Sequence, residues 1–270
     1  MMSQIAQHHE DVAAAFDSLA GQYDELFGNN AIIARLRQKI YSTIDFLVRP
    51  PARILDINCG TGTDALYLAD KGFTVIGVDL STRMIAEAAS KSVQRPNVRF
   101  VEGSFEKLSD LEANEFDLVL SNFGGLNCTD NLSGVAGQVA ARLKPGGYFV
   151  AVIMPSFSLW ETVAYGYRGR FGEAFRRIRS NGTETQFYGN CFKVYYFTPR
   201  KVAHTVAAHF TVIETYSLNV FSPPPHAWRI AARFPGLTAI SERIDDLLCH
   251  VPLLRSIGDH NVLVLRKKVL

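Results

Sequence analysis

Residues able to hold a charged, nucleotide-like ligand recur between positions 53 and 127. The densest group is Asp56-Ile57-Asn58-Cys59-Gly60-Thr61-Gly62. Gly60 and Gly62 let a backbone turn sharply and come close to a ligand. A helix opening after such a turn presents unbonded N–H groups and a positive dipole end. Three further groups are Asp79, Ser104-Phe105 and Ser121 to Asn127, the last reading Ser-Asn-Phe-Gly-Gly-Leu-Asn. Asp56 bears on the ligand's charge: an added carboxylate beside the turn disfavours a pyrophosphate and suits a cation. A rival stays open, because Gly60-Thr61-Gly62-Thr63-Asp64-Ala65 with Asp79 also matches the dinucleotide pattern G-x-G-x-x-A plus acid, the mark of an NAD-dependent oxidoreductase. No Ser/His/Asp set and no metal-spaced His/Cys cluster is evident, and no metal is expected. His204, His209, His226, His250 and His260 have no carboxylate at a convincing spacing and are read as packed or surface residues.

These groups need a scaffold that collects them. After two helical stretches, 10 to 20 and 31 to 48, Arg49-Pro50-Pro51 stops the helix. Short β-rich runs then alternate with helical ones from about 52 to 154: RILDI, DALYLADKG, FTVIGVD, STRMIAEAASKS, NVRFVEG, EFDLVLSN, a helix near 131 to 143, and YFVAVIM. Continuous apolar strands separated by helices mean βαβ units and a parallel sheet covered on both faces. The expected fold is therefore α/β, doubly wound. Such sheets bind ligands beyond the C-terminal strand ends, which is where all four residue groups fall.

Taken in order, these motifs resemble the class I S-adenosylmethionine-dependent methyltransferases. Asp56 to Gly62 matches that family's D-x-G-x-G-x-G except at Asn58. The resemblance implies a mostly parallel seven-stranded sheet, S-adenosyl-L-methionine as cofactor, and a site made of Asp56, Asn58, Cys59, Gly60, Gly62, Asp79, Leu80, Met84, Ser104, Phe105 and Ser121. In that frame Asp79 accepts the ribose hydroxyls and Met84 lies against the adenine. Ser104 stands where an acidic residue commonly meets the adenine amino group, so the contact passes to the Phe105 backbone. Leu143-Lys144-Pro145-Gly146-Gly147-Tyr148 resembles the turn before the fifth strand, and Ala14 to Phe27 resembles the family's leading segment. Tyr23 is thus a lid candidate, with a half-buried aromatic that holds the helix down as its alternative. Arg37 is placed at the cofactor carboxylate by the same resemblance, against the default of a solvated helix arginine. Asn122 and Asn127 are candidates to position a small-molecule acceptor, or else they satisfy loop backbone. Asn58 is expected to keep the turn because asparagine visits left-handed backbone readily. Asn58 and Ser104 also leave room for a non-catalytic S-adenosylmethionine-binding protein.

The organisation expected is a helical lid segment (1–50), a cofactor-binding core (51–154), a cap insertion (155–198) and a completion of the core (199–270) with a helical insertion at about 222–259. TETQFYGN and CFKVYYFTP read as a β-hairpin and Pro199 to His209 as a helix, and the resemblance implies that FTVIETYSLNV and NVLVLRKK form the hairpin that closes the sheet. Arg168, Arg170, Arg176, Arg177 and Arg179 alternate with aromatics. They suggest an anionic substrate or a membrane surface, but a solvated face with local acids such as Glu173 is preferred.

With 28 Lys+Arg against 26 Asp+Glu, charge provides no basis for a nucleic-acid partner, and none is expected. Four scattered cysteines read as free thiols of a reducing compartment. No apolar leader and no window near 18 uncharged apolar residues is present, so a cytoplasmic protein without stable membrane insertion is expected.

Overall fold

The computed structural model describes residues 2–28, 30–112, 115–179 and 181–269. Helix α1 (Met2–Tyr23) leads through one turn of π-helix into α2 (Ala31–Leu47), whose N-terminus is capped by the Asn30 side chain accepting from Ile32 N and Ile33 N. The winding unit follows: β1 (Arg53–Asp56), α3 (Thr63–Asp70), β2 (Thr74–Asp79), α4 (Thr82–Lys91), β3 (Val98–Glu102), β4 (Phe116–Ser121), α5 (Leu132–Arg142) and β5 (Leu143–Ile153). Next come α6 (Leu159–Tyr167), α7 (Phe171–Ala174), the hairpin β6 (Thr183–Phe187) with β7 (Asn190–Val194), and α8 (Pro199–Thr205). Strand β8 (Phe210–Leu218), α9 (Trp228–Arg233), α10 (Pro235–Leu248) and β9 (His260–Lys267) complete the chain.

Seven strands form one sheet in the order β3-β2-β1-β4-β5-β9-β8, parallel except for β9, which runs antiparallel to both β5 and β8. This is the doubly wound, mostly parallel, Rossmann-like fold that the strand pattern implies. Alternation along each strand loads both faces: Leu55, Val119 and Phe149 join one apolar cluster, while Ile54, Leu118 and Val150 join another under α2 and α3. Strand order reverses between β1 and β4, so the crevice lies at their C-terminal ends.

A third cluster closes over that crevice. Val12 and Ala15 of α1 pack with Phe192, Val194 and Tyr196, and Leu80, Cys128 and Met154 from the strand ends lean on them. The hairpin turns at Tyr188-Gly189, both with positive φ (46° and 87°), which suits the twist of a two-residue loop. The first helix is longer than its periodicity implies. Helix α8 is shorter, stopping at Thr205 rather than near His209. No helix among the described residues is long and apolar enough to cross a membrane.

Candidate functional site

The glycine turn is suspended between neighbouring strands. Ile57 N donates to Leu120 O (2.9 Å) on one side and Cys59 N to Val78 O (3.0 Å) on the other. Gly60 and Gly62 carry φ of 54° and 80°, in the left-handed region that favours glycine. At Gly62 a Cβ would also strike the Phe100 ring at 2.6 Å, whereas at Gly60 it would meet nothing within 4 Å. The space above Gly60 is therefore open to a ligand.

Carboxylates surround that space. Asp79 accepts from Gly60 N (2.8 Å) and Ser81 N (3.0 Å), which fixes its orientation at the end of β2. Asp56 is 1% exposed and its Oδ1 has no partner. Burial first, then the nearby charges of Asp64 and Asp79, push its pKa well above the usual carboxylate range. Helix α1 and the π-helical turn after it add two more acids. Asp17 Oδ1 accepts from Ser81 Oγ (2.5 Å) and Arg83 N (3.0 Å), bracing the start of α4, and Asp24 accepts from Thr61 Oγ1 (2.5 Å) and pairs with Lys91 (2.6 Å).

Asp64, in the first turn of α3, is the hub of the wall facing α2. Its carboxylate accepts from Arg37 Nε (3.0 Å), Tyr41 OH (2.5 Å) and Asn122 Nδ2 (2.9 Å). Arg37 is accordingly not the solvated helix arginine taken as its default. It is mostly buried, with its guanidinium over Phe123 (5.2 Å), and Asp64 stabilises its charge against burial. Tyr23 ends α1 close enough to Arg37, Asp64, Asp79 and Asp24 to feel their charges. Burial pushes its hydroxyl up to about 12 despite Arg37.

Asn58 departs from expectation in how it serves the turn. The positive φ angles belong to Gly60 and Gly62, and Asn58 is not among the positive-φ residues. Its amide spans the switch point, donating to Asn122 O (2.7 Å) and accepting from Ser121 Oγ (2.5 Å). Gly125 makes room for it, since a Cβ there would lie 2.2 Å from Asn58 Cγ.

The two acceptor candidates separate. Asn122 stands at the crevice but is committed, donating to Asp64 and accepting from Phe123 N (2.9 Å). Asn127 faces elsewhere, donating to Met154 O (2.9 Å) and Tyr195 O (2.5 Å) and accepting from Met154 N (2.8 Å). That amide ties the loop after β4 to the chain after β5 and β7, and no polar atom of it is left for an acceptor. Among the rest, Met84 is fully buried in α4 and Cys59 is buried under the turn. Leu80 packs beneath α1. Ser104 caps the short 3-10 helix Phe105–Asp110 by accepting from Glu106 N, and Phe105 packs against the core.

Two corrections concern charge. Arg177 is not on a solvated face: it is buried between Glu161 (2.5 Å) and Asp259 (2.9 Å), and Arg176 joins Glu161 (2.6 Å). Among the described residues, the Arg170–Glu173 pair matches the expected surface pairing. Histidines do have carboxylate neighbours. His260 Nδ1 lies 3.0 Å from Asp259 Oδ2, off the line of an aligned hydrogen bond, and its ring meets Phe123 edge-on at 5.7 Å. Because β9 runs opposite to β5, this pair sits at the same sheet edge as the crevice. His9 and His250 likewise approach Glu106 (3.2 Å) and Glu214 (3.4 Å). Asp17 and Asp24 carried a legible signal, since a spacing of two helical turns puts them on one face. Asp64, Tyr41 and the Asp259–His260 pair carried none.

Residues 54–147 match the family model described as a methyltransferase domain. The demethylmenaquinone methyltransferase of Beutenbergia cavernae is 33% identical over 151 residues, covering 55% of this chain and 60% of that one. The chain thus spans less than two thirds of that relative. Among solved structures, Burkholderia thailandensis 1,6-didemethyltoxoflavin-N1-methyltransferase, with 1,6-didemethyltoxoflavin and S-adenosylhomocysteine bound, aligns at a TM-score of 0.61 and 19% identity, covering 98% of this chain and 90% of that one. The cyclase SpnF aligns at 0.63 and 18%, covering 96% of each. At those identities the likeness is one of fold.

Proposed function

We propose that this chain is a class I S-adenosylmethionine-dependent methyltransferase that transfers a methyl group to a small-molecule acceptor, a reading supported by the methyltransferase-domain match over residues 54–147. The observation that carries this is the acid lining of the glycine turn: Asp79 accepts from Gly60 N, Asp24 accepts from Thr61 Oγ1, and the buried Asp56 Oδ1 is unpartnered. A ligand with cationic groups relieves that cost, whereas a pyrophosphate adds to it. This disfavours a dinucleotide there.

The cofactor supplies a methyl group activated for attack, so the protein's task is chiefly to hold reactants in line and keep water out. Gly60 leaves the backbone open to the ligand, Gly62 lets the turn pack against Phe100, and Asp56 and Asp79 receive the ligand's amino and hydroxyl donors. Arg37 is held by Asp64 and Phe123 at the wall where a carboxylate would lie. Tyr23, with α1 behind it, covers the crevice. Asn58, bonded to Asn122 O and Ser121, and Asn122, bonded to Asp64, act as positioning residues, not as ligands to the acceptor. Where the acceptor must lose a proton, His260 stands at the right sheet edge.

Calorimetry with S-adenosylmethionine, S-adenosylhomocysteine and NAD tests the cofactor half. Heat with the first two and none with NAD is expected, and heat with NAD alone overturns the proposal. Because a cyclase shares the fold, activity needs its own test: transfer of label from S-adenosylmethionine to a panel of small phenols, amines and quinones, demethylmenaquinone included.

A further inference from the structure

Helix α10 is amphipathic in the inverted sense. Its inward side is acidic: Asp245 is 1% exposed and accepts from Val220 N, Phe221 N, Ser222 N and Ser222 Oγ (3.2, 2.9, 3.0 and 2.5 Å). Glu242 and Asp246 turn onto α2, where Arg35 meets both (3.6 and 2.6 Å) and Lys39 meets Asp246. The outward side is apolar. Leu237, Ile240, Ile244 and Leu247 are 66%, 55%, 38% and 80% exposed, and their spacing puts them on one stripe. Trp228 and Phe234 extend the stripe through α9 at 53% and 47%. A helix that spends its acids inward and its leucines outward is built for contact with something apolar.

The charges around the stripe select what that is. Arg229 and Arg233 lie over the Trp228 and Phe234 rings (5.5 and 5.6 Å). Among the described residues, none of Arg229, Arg233, Arg243 and Arg255 has a carboxylate partner within ion-pair distance, while the nearby acids are taken up by α2 and by backbone. The patch therefore presents apolar side chains within a rim of arginine. A second copy would bring like charges together across the contact, whereas an anionic bilayer meets both features. The cap carries exposed aromatics and arginines too. It is joined to this insertion by Leu159 N to Ile257 O (2.9 Å) and by Trp160 against His226 (6.4 Å), and it exposes Tyr167 and Phe171 beside Arg168 and Arg170.

We infer that the face formed by α9 and α10 docks on the surface of an anionic lipid bilayer, lying in the interface without crossing it. This does not depend on which ligand the crevice takes.

Flotation of the full chain with vesicles of phosphatidylcholine alone, or mixed with phosphatidylglycerol, tests it. Bound protein should be roughly tenfold higher on the mixed vesicles at low salt and fall severalfold near 0.5 M salt, where the screening length is only a few ångströms. Leu237→Asp with Leu247→Asp should abolish flotation, and Arg233→Gln with Arg243→Gln should remove most of the preference for phosphatidylglycerol. Both double variants should keep the parent melting profile and S-adenosylhomocysteine binding, since the altered side chains point outward. Equal, weak flotation on both vesicle types overturns the inference. So does sedimentation showing a dimer that Leu237→Asp with Leu247→Asp dissolves, which assigns the stripe to a second copy. If flotation holds but S-adenosylhomocysteine gives no heat, the cofactor proposal fails and this one stands.

Discussion

Asp56 is an ionisable group held where ionisation is costly, and the cost has a readable consequence. Its pKa is raised by burial and by Asp64 and Asp79, so the unliganded site favours the proton. A cationic ligand favours the carboxylate, so binding should release a proton, and affinity should rise with pH through the raised pKa. Titrating S-adenosylhomocysteine in two buffers of different ionisation enthalpy measures this, and no difference between them contradicts it. Asn58 makes a second case. Its fit against Gly125 means that Gly125→Ala should cost about 1–3 kcal/mol by overpacking. The same substitution should be nearly silent in an Asn58→Gly background, a coupling that a double-mutant cycle reads directly. Asn58→Gly alone loses two hydrogen bonds, worth roughly 1–2 kcal/mol of stability, and should leave S-adenosylhomocysteine affinity comparable.

Helix α1 joins lid and scaffold. Asp17 ties it to the first turn of α4, Asp24 just beyond its end bonds the glycine turn, and Val12 and Ala15 pack on the hairpin. The helix therefore reaches the crevice by polar bonds on one side and apolar contact on the other. Asp17→Ala removes bonds to Ser81 and Arg83, and losing about 1.4 kcal/mol of closure weakens binding tenfold. The expected outcome is a rise in the S-adenosylhomocysteine Kd of between threefold and tenfold, with faster proteolysis in α1 and little change in melting temperature. An unchanged Kd with intact protease resistance would separate α1 from ligand closure.

At the scale of the molecule, Glu161, Arg177, Asp259 and His260 bind the cap to the start of β9 inside the protein. Arg177→Met removes the cation shared by two buried carboxylates, leaving Glu161 to Arg176 and Asp259 to His260, and should cost about 3 kcal/mol. Asp259 sets the acid limit of this joint. Burial works to raise its pKa, but His260, Arg177 and His226 together hold it well below the ordinary range. The folded pKa thus lies under the unfolded one. Its stabilisation is present above the usual aspartate range and is lost as pH falls through the folded value. Melting curves from neutral pH down to about 3 should show a steep acid limb that Asp259→Asn flattens, the variant starting from lower stability at neutral pH.

Strand and helix periods, turn glycines and the acid-glycine spacing were enough to imply a doubly wound parallel sheet and the edge at which its crevice lies. Each is a local pattern, set by backbone preference and by burial of alternate side chains. The β6–β7 hairpin was legible for the same reason, whereas the pairing of β8 with β9 was implied by the family resemblance. What Asn58 does was not, because its partners Ser121, Asn122 and Gly125 lie far along the chain and meet it only once β1 and β4 pair. Arg37 and Arg177 look alike in sequence to any helix arginine, and their burial depends on Asp64 and Asp259 arriving from other elements. Helix α10 sharpens the point. Its period was visible, but which stripe faces inward was decided by the Asp245 carboxylate finding backbone donors at residues 220 to 222. Period specifies a helix and its faces; charge satisfaction across distant segments chooses which face the protein keeps.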